Sequence, residues 1–576
     1  MLSYLTSVFW ISSQRRRRGM RQHVSMPLES RHARWTWYPV CFLLVLCLIR
    51  GLWVTRGLSS PAIMDTFRDA GFVQGIIDGN WFGDPGIGGA WRYYPPLIHA
   101  LYAAVAAVTG VPPLHLLMVA APWVNLVVPL GFFLMGRHLI GAPAAVFGTA
   151  LIVLVNGWVL PPWVSAAYHP WSSIPTLALG GFFLSVWLIH ARIRSQSVGD
   201  ALLIGSAIGL TFLAHTVPAL ILAAIVPIAV LTARGFGIKT LGWIAIVAVV
   251  TLVWTLPLLW PLFVSYRLHI LNAGPGAIVD PLFADWPPSR GMLLTTLPGV
   301  LALPALRFLR AEASVSRTAG AILAVWIAVP AVFLARHYAC GPAPHAAVCT
   351  VFVLGVHHWF IYLQAALTGL AGLAAWLCIK RALRAAGRPK IWSAAGWTAA
   401  AACGTAVFWL RPIDGSMRQR ALDLASSFDW NAYDWVAQHT APKDLFVTEL
   451  PDKSLNPASL AVMAAGRSSV ALPETYSNPY VDWESRNRRS LEYLAAARGP
   501  AQNANPKLCD LIGEAGDGAN AYVILSNAQT VSATALRPDS VGLTNTIYRA
   551  MPAACAEHHH RNPDSLVKYT ANVPNQ

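Results

Sequence analysis

Residues 59–97 read SSPAIMDTFRDAGFVQGIIDGNWFGDPGIGGAWRYYPPL. They follow directly on the first strongly apolar segment, Trp35 to Leu58, and place Asp65, Asp69, Asp78 and Asp84 within twenty residues. The first 410 positions carry nine acidic residues in all, so one loop holds four of them. Carboxylates near a bilayer are costly, and a cluster of them points to chemistry before structure. From Asp65 to Asp78 the apolar residues Phe67, Phe72, Val73, Ile76 and Ile77 recur at helical spacing. That pattern predicts an amphipathic helix lying on the bilayer surface. Asp65 and Asp69 are four apart and share a helix face, with Arg68 beside them. Two carboxylates that close raise one another's proton affinity, which suits one of them to general-base work. Helix capping by Asp65 is the competing reading, because acids are ordinary at helix starts. Asp78 and Asp84 are read as shaping the turn-rich return to the membrane.

Composition sets the class. The chain is 55% hydrophobic and 12% charged, with a formal net charge of +16; soluble domains are usually about a quarter charged. Residues 1–410 hold 27 Lys/Arg against 9 Asp/Glu, and residues 411–576 hold 15 against 17. The basic excess lies wholly in the apolar part, where it reads as the positive-inside rule and not as nucleic-acid binding. The division expected is a basic cytoplasmic extension at 1–35, a transmembrane domain at 36–410 with external loop 59–92, and an extracytoplasmic soluble α/β domain at 411–576.

Twelve apolar segments are candidate spans: 36–58, 93–109, 113–136, 143–160, 171–191, 201–214, 217–232, 240–264, 292–309, 319–335, 359–379 and 392–410. Basic clusters at Arg15–Arg18, Arg192/Arg194, Arg234/Lys239, Arg307/Arg310/Arg317 and Lys380–Lys390 mark the cytoplasmic side. They put the N-terminus inside, and loop 59–92 and the C-terminal domain outside. An even count contradicts that arrangement. The conflict falls between residues 93 and 143, where Arg137 and His138 belong inside, so one segment is re-entrant or miscounted. The start, with its apolar run ahead of RRRR, has the charge order of a secretory signal reversed. It reads as a cytoplasmic extension or an over-extended start, with Met20 or Met26 the beginning.

Of eight cysteines, Cys340/Cys349 and Cys509/Cys555 are candidate disulfides in an oxidising compartment. His558–His560 reads as a solvated loop. In the C-terminal domain, 431–439 and 483–497 read as helices, and 445–450 and 521–525 as strands. The second helix carries Arg486, Arg488 and Arg489, which suit either a solvated face or contact with head groups. No nucleophile elbow, phosphate loop or zinc-protease motif is present.

An acidic residue just past the first span, an amphipathic loop, and then Tyr93-Tyr94-Pro95-Pro96-Leu97 opening the next helix resembles the GT-C superfamily of membrane glycosyltransferases. The hairpin 205–230, broken at His215 and Pro218, is similar to that family's apolar hairpin. His357-His358-Trp359-Phe360 stands where relatives carry an Arg-Phe-aromatic run, so His358 departs from the pattern. The resemblance implies a polytopic GT-C-like fold of about 11–13 spans and transfer of a sugar from a polyprenyl-phosphate carrier to a glycan, lipid or protein acceptor. It also implies an inverting single displacement in the cell (inner) membrane, with the active site outside. An arabinofuranosyltransferase of cell-wall assembly is one specific case.

Such a reaction needs a carboxylate base for the acceptor hydroxyl; Asp65 is the first candidate and Asp69 the second. It needs donors for the leaving phosphate, and Arg336, His337, His357, His358, Arg267 and His269 lie on predicted outer loops. Arg68, Tyr93, Tyr94, His99 and His169 are candidates to line the substrate cavity. Each has a plainer reading: Arg267 and Arg336 as snorkelling side chains at span ends, His169 as part of an interfacial aromatic belt, and His215 as a packing or hinge residue. Asp65 and Asp69 equally suit a divalent metal ion. A multi-pass transporter or lipid-linked saccharide flippase is the alternative class, although no internal repeat is visible. A non-catalytic assembly or sensor protein is a third.

Overall fold

The computed structural model describes residues 35–552, except 159, 196, 273–289, 309–314, 341–354, 386–403, 407, 450–455, 500, 528–530, 532–534 and 542–544. The expected N-terminal extension, most of the segment 392–410, Cys349, Cys555 and His558–His560 fall outside the described residues.

The helices of the apolar part are α1 (Trp37–Thr55), α2 (Asp65–Ile77), α3 (Leu97–Thr109), α4 (Pro113–Val124), α5 (Val127–Leu139), α6 (Ala142–Leu154) and α7 (Ile174–Arg192). They continue with α8 (Val198–Ala214), α9 (Thr216–Arg234), α10 (Ile238–Val264), α11 (Arg290–Phe308), α12 (Arg317–Cys340) and α13 (Val356–Ala385). Among the described residues, seven segments are long and apolar enough to cross a bilayer: α1, α4 with α5 as one run, α7, α9, α10, α12 and α13. Shorter apolar helices include α3, α6 and α8. Small residues let the bundle close: a Cβ on Gly372 of α13 would lie 2.6 Å from the Gly148 nitrogen and 2.8 Å from the Ala144 oxygen of α6. Phe132, Phe182, Phe183, Trp326 and Tyr362 fill the centre with edge-to-face rings.

Helix α3, at the place of the parity conflict, has 13 residues and reaches about 20 Å at 1.5 Å each, short of the roughly 30 Å hydrocarbon core; α6, also of 13 residues, falls equally short. At the start of α3, His99 meets Asp69 of α2, and α3 packs on α2 and α4.

That domain opens with α14 (Pro412–Ser427) and α15 (Trp430–His439). It continues through β1 (Leu445–Thr448), α16 (Pro457–Ala464), β2 (Ser468–Ser469), α17 (Trp483–Arg498), α18 (Ala501–Ala515), β3 (Ala521–Ser526), β4 (Leu536–Val541) and β5 (Asn545–Ala550). The sheet order is β2-β1-β3-β5-β4. The first three strands are parallel, and β5 runs antiparallel to β3 and β4. Strand β1 and the first five residues of β3 are buried. They read as short continuous apolar runs, as a parallel strand covered on both faces does. Cys509 is disulfide-bonded. Arg489 pairs with Glu514 at 2.9 Å and Arg486 is half-buried, while Arg488 is exposed.

The domain sits on the acidic loop. Helix α2 is not an interfacial helix: its apolar stripe faces protein, with Phe67, Phe72, Val73 and Ile76 buried. Helix α16 covers one side so closely that a Cβ on Gly71 would fall 2.0 Å from the Met463 oxygen. Gly466, at φ +68°, makes the matching approach to Gln74. Asp78 pairs with Arg467 at 2.8 Å. Asp84 accepts from the Gly86 N–H at 3.0 Å and from Asn478 Nδ2 at 3.1 Å. These two acids shape the loop and also fasten it to the C-terminal domain.

Candidate active site

The two candidate bases leave the same helix face into different surroundings. Asp69 is sealed, its side chain 2% exposed. Its Oδ1 accepts from Arg68 Nη2 at 3.0 Å and Nε at 3.3 Å, and meets His99 Nε2 at 3.2 Å. The other nitrogen of His99 faces the Pro95 oxygen at 3.1 Å. Both ring nitrogens thus face acceptors, which a proton shared between His99 and Asp69 satisfies. Burial pushes the Asp69 carboxyl up, but Arg68 and His99 together outweigh it and hold its pKa below the ordinary value.

Asp65 keeps its side chain 38% exposed within a crowded recess. Arg68 Nη1 lies 3.8 Å away, the Tyr476 hydroxyl hydrogen-bonds to it, and Arg420 is within electrostatic reach. Its pKa is raised, chiefly by burial and further by Asp69, against the pull of Arg68, Arg420 and Tyr476. The pair has been split into an ionised anchor and a more basic, accessible carboxylate. Such a split is how neighbouring acids acquire separate roles.

Arg68 stands between them and spans the site. Its guanidinium lies over the Tyr94 ring at 4.6 Å and over the Tyr476 ring at 5.9 Å. Tyr94 stacks on Phe72, and burial raises the pKa of both Tyr93 and Tyr94. Arg68 is also within electrostatic reach of His215 and His358, and Tyr94 of Tyr362. His215 lies at the extended break between α8 and α9, 4.5 Å from the His358 ring, which is itself 4.0 Å from His357. His215 Nδ1, His358 Nδ1 and the Tyr362 hydroxyl are buried with no hydrogen-bond partner among the described residues. The imidazoles of His215 and His358 thus lie together within electrostatic reach of Arg68.

Asp65, Asp69, Arg68, Tyr93, Tyr94, His99 and His358, with its neighbour His357, are gathered here. The remaining candidates are elsewhere. His169 is fully buried, its Nδ1 3.2 Å from Arg411 Nη2. Arg411 in turn approaches Asp414, which Arg50 of α1 meets at 3.4 Å. Arg267 and His269 are exposed on the turn after α10. Arg336 and His337 end α12, and no described contact links them to Asp65. Sequence reasoning missed Tyr476 and Arg420, which reach the site from the other domain. His215, read as a packing or hinge residue, lies at the break between α8 and α9.

Arg68 lies between the two carboxylates, 3.0 Å from Asp69 and 3.8 Å from Asp65. Among the described residues, no group of three His, Cys, Asp or Glu side chains is arranged to hold a metal.

A bundle of apolar helices, a buried acidic helix in the first loop and a C-terminal α/β domain seated on it make up a fold that several solved structures share. ArnT from Cupriavidus metallidurans, solved bound to undecaprenyl phosphate, matches with a TM-score of 0.53 and 13% identity over 89% of this chain and 98% of its own. The apo oligosaccharyltransferase of Archaeoglobus fulgidus matches at 0.51 and 13% identity, over 84% of this chain and 69% of its own. The arabinofuranosyltransferase AftD from Mycobacteria matches at 0.50 and 13% identity, over 90% of this chain but 40% of its own. Neither a protein-family model nor a curated protein sequence matches the chain. At these identities the likeness is one of fold.

Proposed function

We propose that this protein is an inverting membrane glycosyltransferase. It moves a sugar from a polyprenyl-phosphate carrier to the hydroxyl of a glycan, lipid or protein acceptor, on the outer side of the cell membrane. The observation that carries the reading is the split carboxylate pair around Arg68. Asp65, accessible and with a raised pKa, takes the proton of the acceptor hydroxyl as the new bond forms at the anomeric carbon. The carrier phosphate leaves with the bonding electrons of the old bond and needs no proton. Arg68 and the imidazoles of His215 and His358 are placed to stabilise its growing charge. Asp69 and His99 act as positioning residues, holding Arg68 in line. No step is assigned to a metal. The fold supports the carrier class, since one structure sharing it holds undecaprenyl phosphate. The basic clusters support the outward orientation.

The test uses full-length protein in liposomes supplied with undecaprenyl-phosphate-linked pentose or hexose and a membrane extract as acceptor. Release of undecaprenyl phosphate with sugar transfer is the expected result, and Asp65→Asn should abolish it. Turnover by Asp65→Asn within tenfold of the unmodified protein defeats the base assignment. Movement of the intact donor across the bilayer without cleavage supports the flippase reading instead.

A further inference from the structure

The turn that follows α10 is strained and pinned. Arg267 and Leu268 take positive φ, +50° and +55°, although neither is glycine. Their side chains are exposed, so no packing of their own holds them there. Such a conformation persists only where the surroundings over-determine it. Within the turn, the Leu268 N–H donates to the Leu262 carbonyl at 2.9 Å, and the His269 N–H to that of Tyr266 at 2.8 Å. The same stretch is fastened to two partners that are distant in sequence.

The first is the acidic loop. The Tyr266 hydroxyl donates to the Trp91 carbonyl at 3.0 Å and accepts from the Trp91 N–H at 2.6 Å. The second is segment 473–481 of the C-terminal domain. The N–H groups of Leu271 and Asn272 donate to the Pro479 carbonyl at 3.0 and 2.9 Å, and Asn272 Nδ2 donates to the Glu474 carbonyl at 3.2 Å. Tyr266 stacks on Tyr480, with ring centres 4.8 Å apart and planes 8° from parallel. Asn478, fully buried, closes the junction. Its Nδ2 reaches Asp84 at 3.1 Å, the Trp91 carbonyl at 3.0 Å and the Tyr266 hydroxyl at 3.4 Å.

These contacts bracket Tyr476. It ends the short 3₁₀ turn Glu474–Tyr476, with Glu474 held on one side of it and Asn478 on the other. Its hydroxyl hydrogen-bonds to Asp65. The domain has a separate seat on α2, where Gly71 meets Met463 and Asp78 meets Arg467. What the junction adds is a fixed place for the turn that carries Tyr476.

We propose that Tyr266 and Asn272 are positioning residues: the turn after α10 straps segment 473–481 to the acidic loop and so sets Tyr476 against Asp65. The catalytic part rests on Asp65 being the base; the strap itself does not. Asp65 is faced by Arg68 and Asp69 from α2, by Arg420 from α14 and by Tyr476. Of these the strap holds Tyr476, whose hydrogen bond favours the ionised carboxylate. Loosening the strap therefore moves the acid limb of the pH–rate profile to higher pH.

The experiment uses the full chain in liposomes with undecaprenyl-phosphate-linked sugar, and pairs pH–rate profiles with hydrogen exchange read by mass spectrometry. Tyr266→Phe, which keeps the stacked ring and removes only the hydroxyl, should speed exchange across 473–481 severalfold and leave α16 unchanged. Asn272→Ala should do the same. Both should move the acid limb to higher pH, by less than Tyr476→Phe does. Tyr266→Phe added to Tyr476→Phe should move it no further. Unfolding temperatures establish that the variants are folded. Exchange at 473–481 within twofold of the unmodified protein in both variants overturns the strap. An acid limb that stays put in both, or that moves again in the double variant, overturns the route through Tyr476. Turnover retained by Asp65→Asn defeats the base reading instead, and exchange at 473–481 then decides the strap alone.

Discussion

Asp65→Asn and Asp69→Asn make the same chemical change four residues apart, and the structure assigns them opposite consequences. Asp69 is 2% exposed and bonded to Arg68 and His99, whose side chains are 13% and 0% exposed. Neutralising it strands a buried guanidinium, and breaking a buried pair from one side costs about 3–5 kcal/mol. Asp65 is 38% exposed and meets Arg68 only at 3.8 Å. Its replacement should change stability by no more than about 1 kcal/mol. The pH dependence separates them further. Asp69, with its pKa lowered from 3.8, contributes stability that is present above that value and lost only as pH falls through its folded pKa. The Asp69→Asn penalty is therefore full at neutral pH and shrinks only in strong acid. Asp65, with its pKa raised from 3.8, contributes stability below that value and loses it as pH rises through its folded pKa. Asp65→Asn should thus gain on the unmodified protein as pH rises. Turnover runs the other way: losing a general base costs about 10²–10⁴-fold, so Asp65→Asn should be folded and inactive. Thermal unfolding of the full chain in detergent from pH 4 to 9, paired with donor turnover, reads both. A destabilised Asp65→Asn beside a stable Asp69→Asn would refute the division of roles.

Three further outcomes are expected. Tyr476→Phe removes a hydrogen bond that favours ionised Asp65; the acid limb of the pH–rate profile should move to higher pH, and an unmoved limb separates Tyr476 from the base. Gly71→Val forces a side chain into a 2.0 Å gap at Met463; overpacking costs about 1–3 kcal/mol, and limited proteolysis should show the C-terminal domain loosened from α2. Asp84 has its pKa raised to about 6 by burial, against the Gly86 N–H, Asn478 and Arg92. Folding therefore takes up a proton there, and its stabilising effect is lost as pH rises through about 6. Asp84→Asn should flatten the pH dependence of unfolding between about 4 and 6, as measured by unfolding midpoints across that range.

What the sequence discloses here depends on whether a pattern reports solvent or partner. Apolar length located the spanning helices, and the four-residue spacing put Asp65 and Asp69 on one face, because both follow from helix geometry alone. The same patterns misplaced α2. An apolar stripe says that a face avoids water, and lipid and protein satisfy it equally, so Phe67, Phe72, Val73 and Ile76 look alike whether they meet a bilayer or α16. Gly71 and Gly466 were the trace of that docking, but a glycine declares a close approach without naming what approaches. Tyr476 and Arg420 left no trace at all, since nothing local to either points to a carboxylate some 400 or 350 positions earlier. The consequence reaches beyond legibility. The groups that pull the Asp65 pKa back down against its burial include a tyrosine and an arginine from the C-terminal domain, and Asp78 and Asp84 hold that domain in place. Two of the loop's four acids thus secure the wall that tunes a third, so the C-terminal domain belongs to the site it covers.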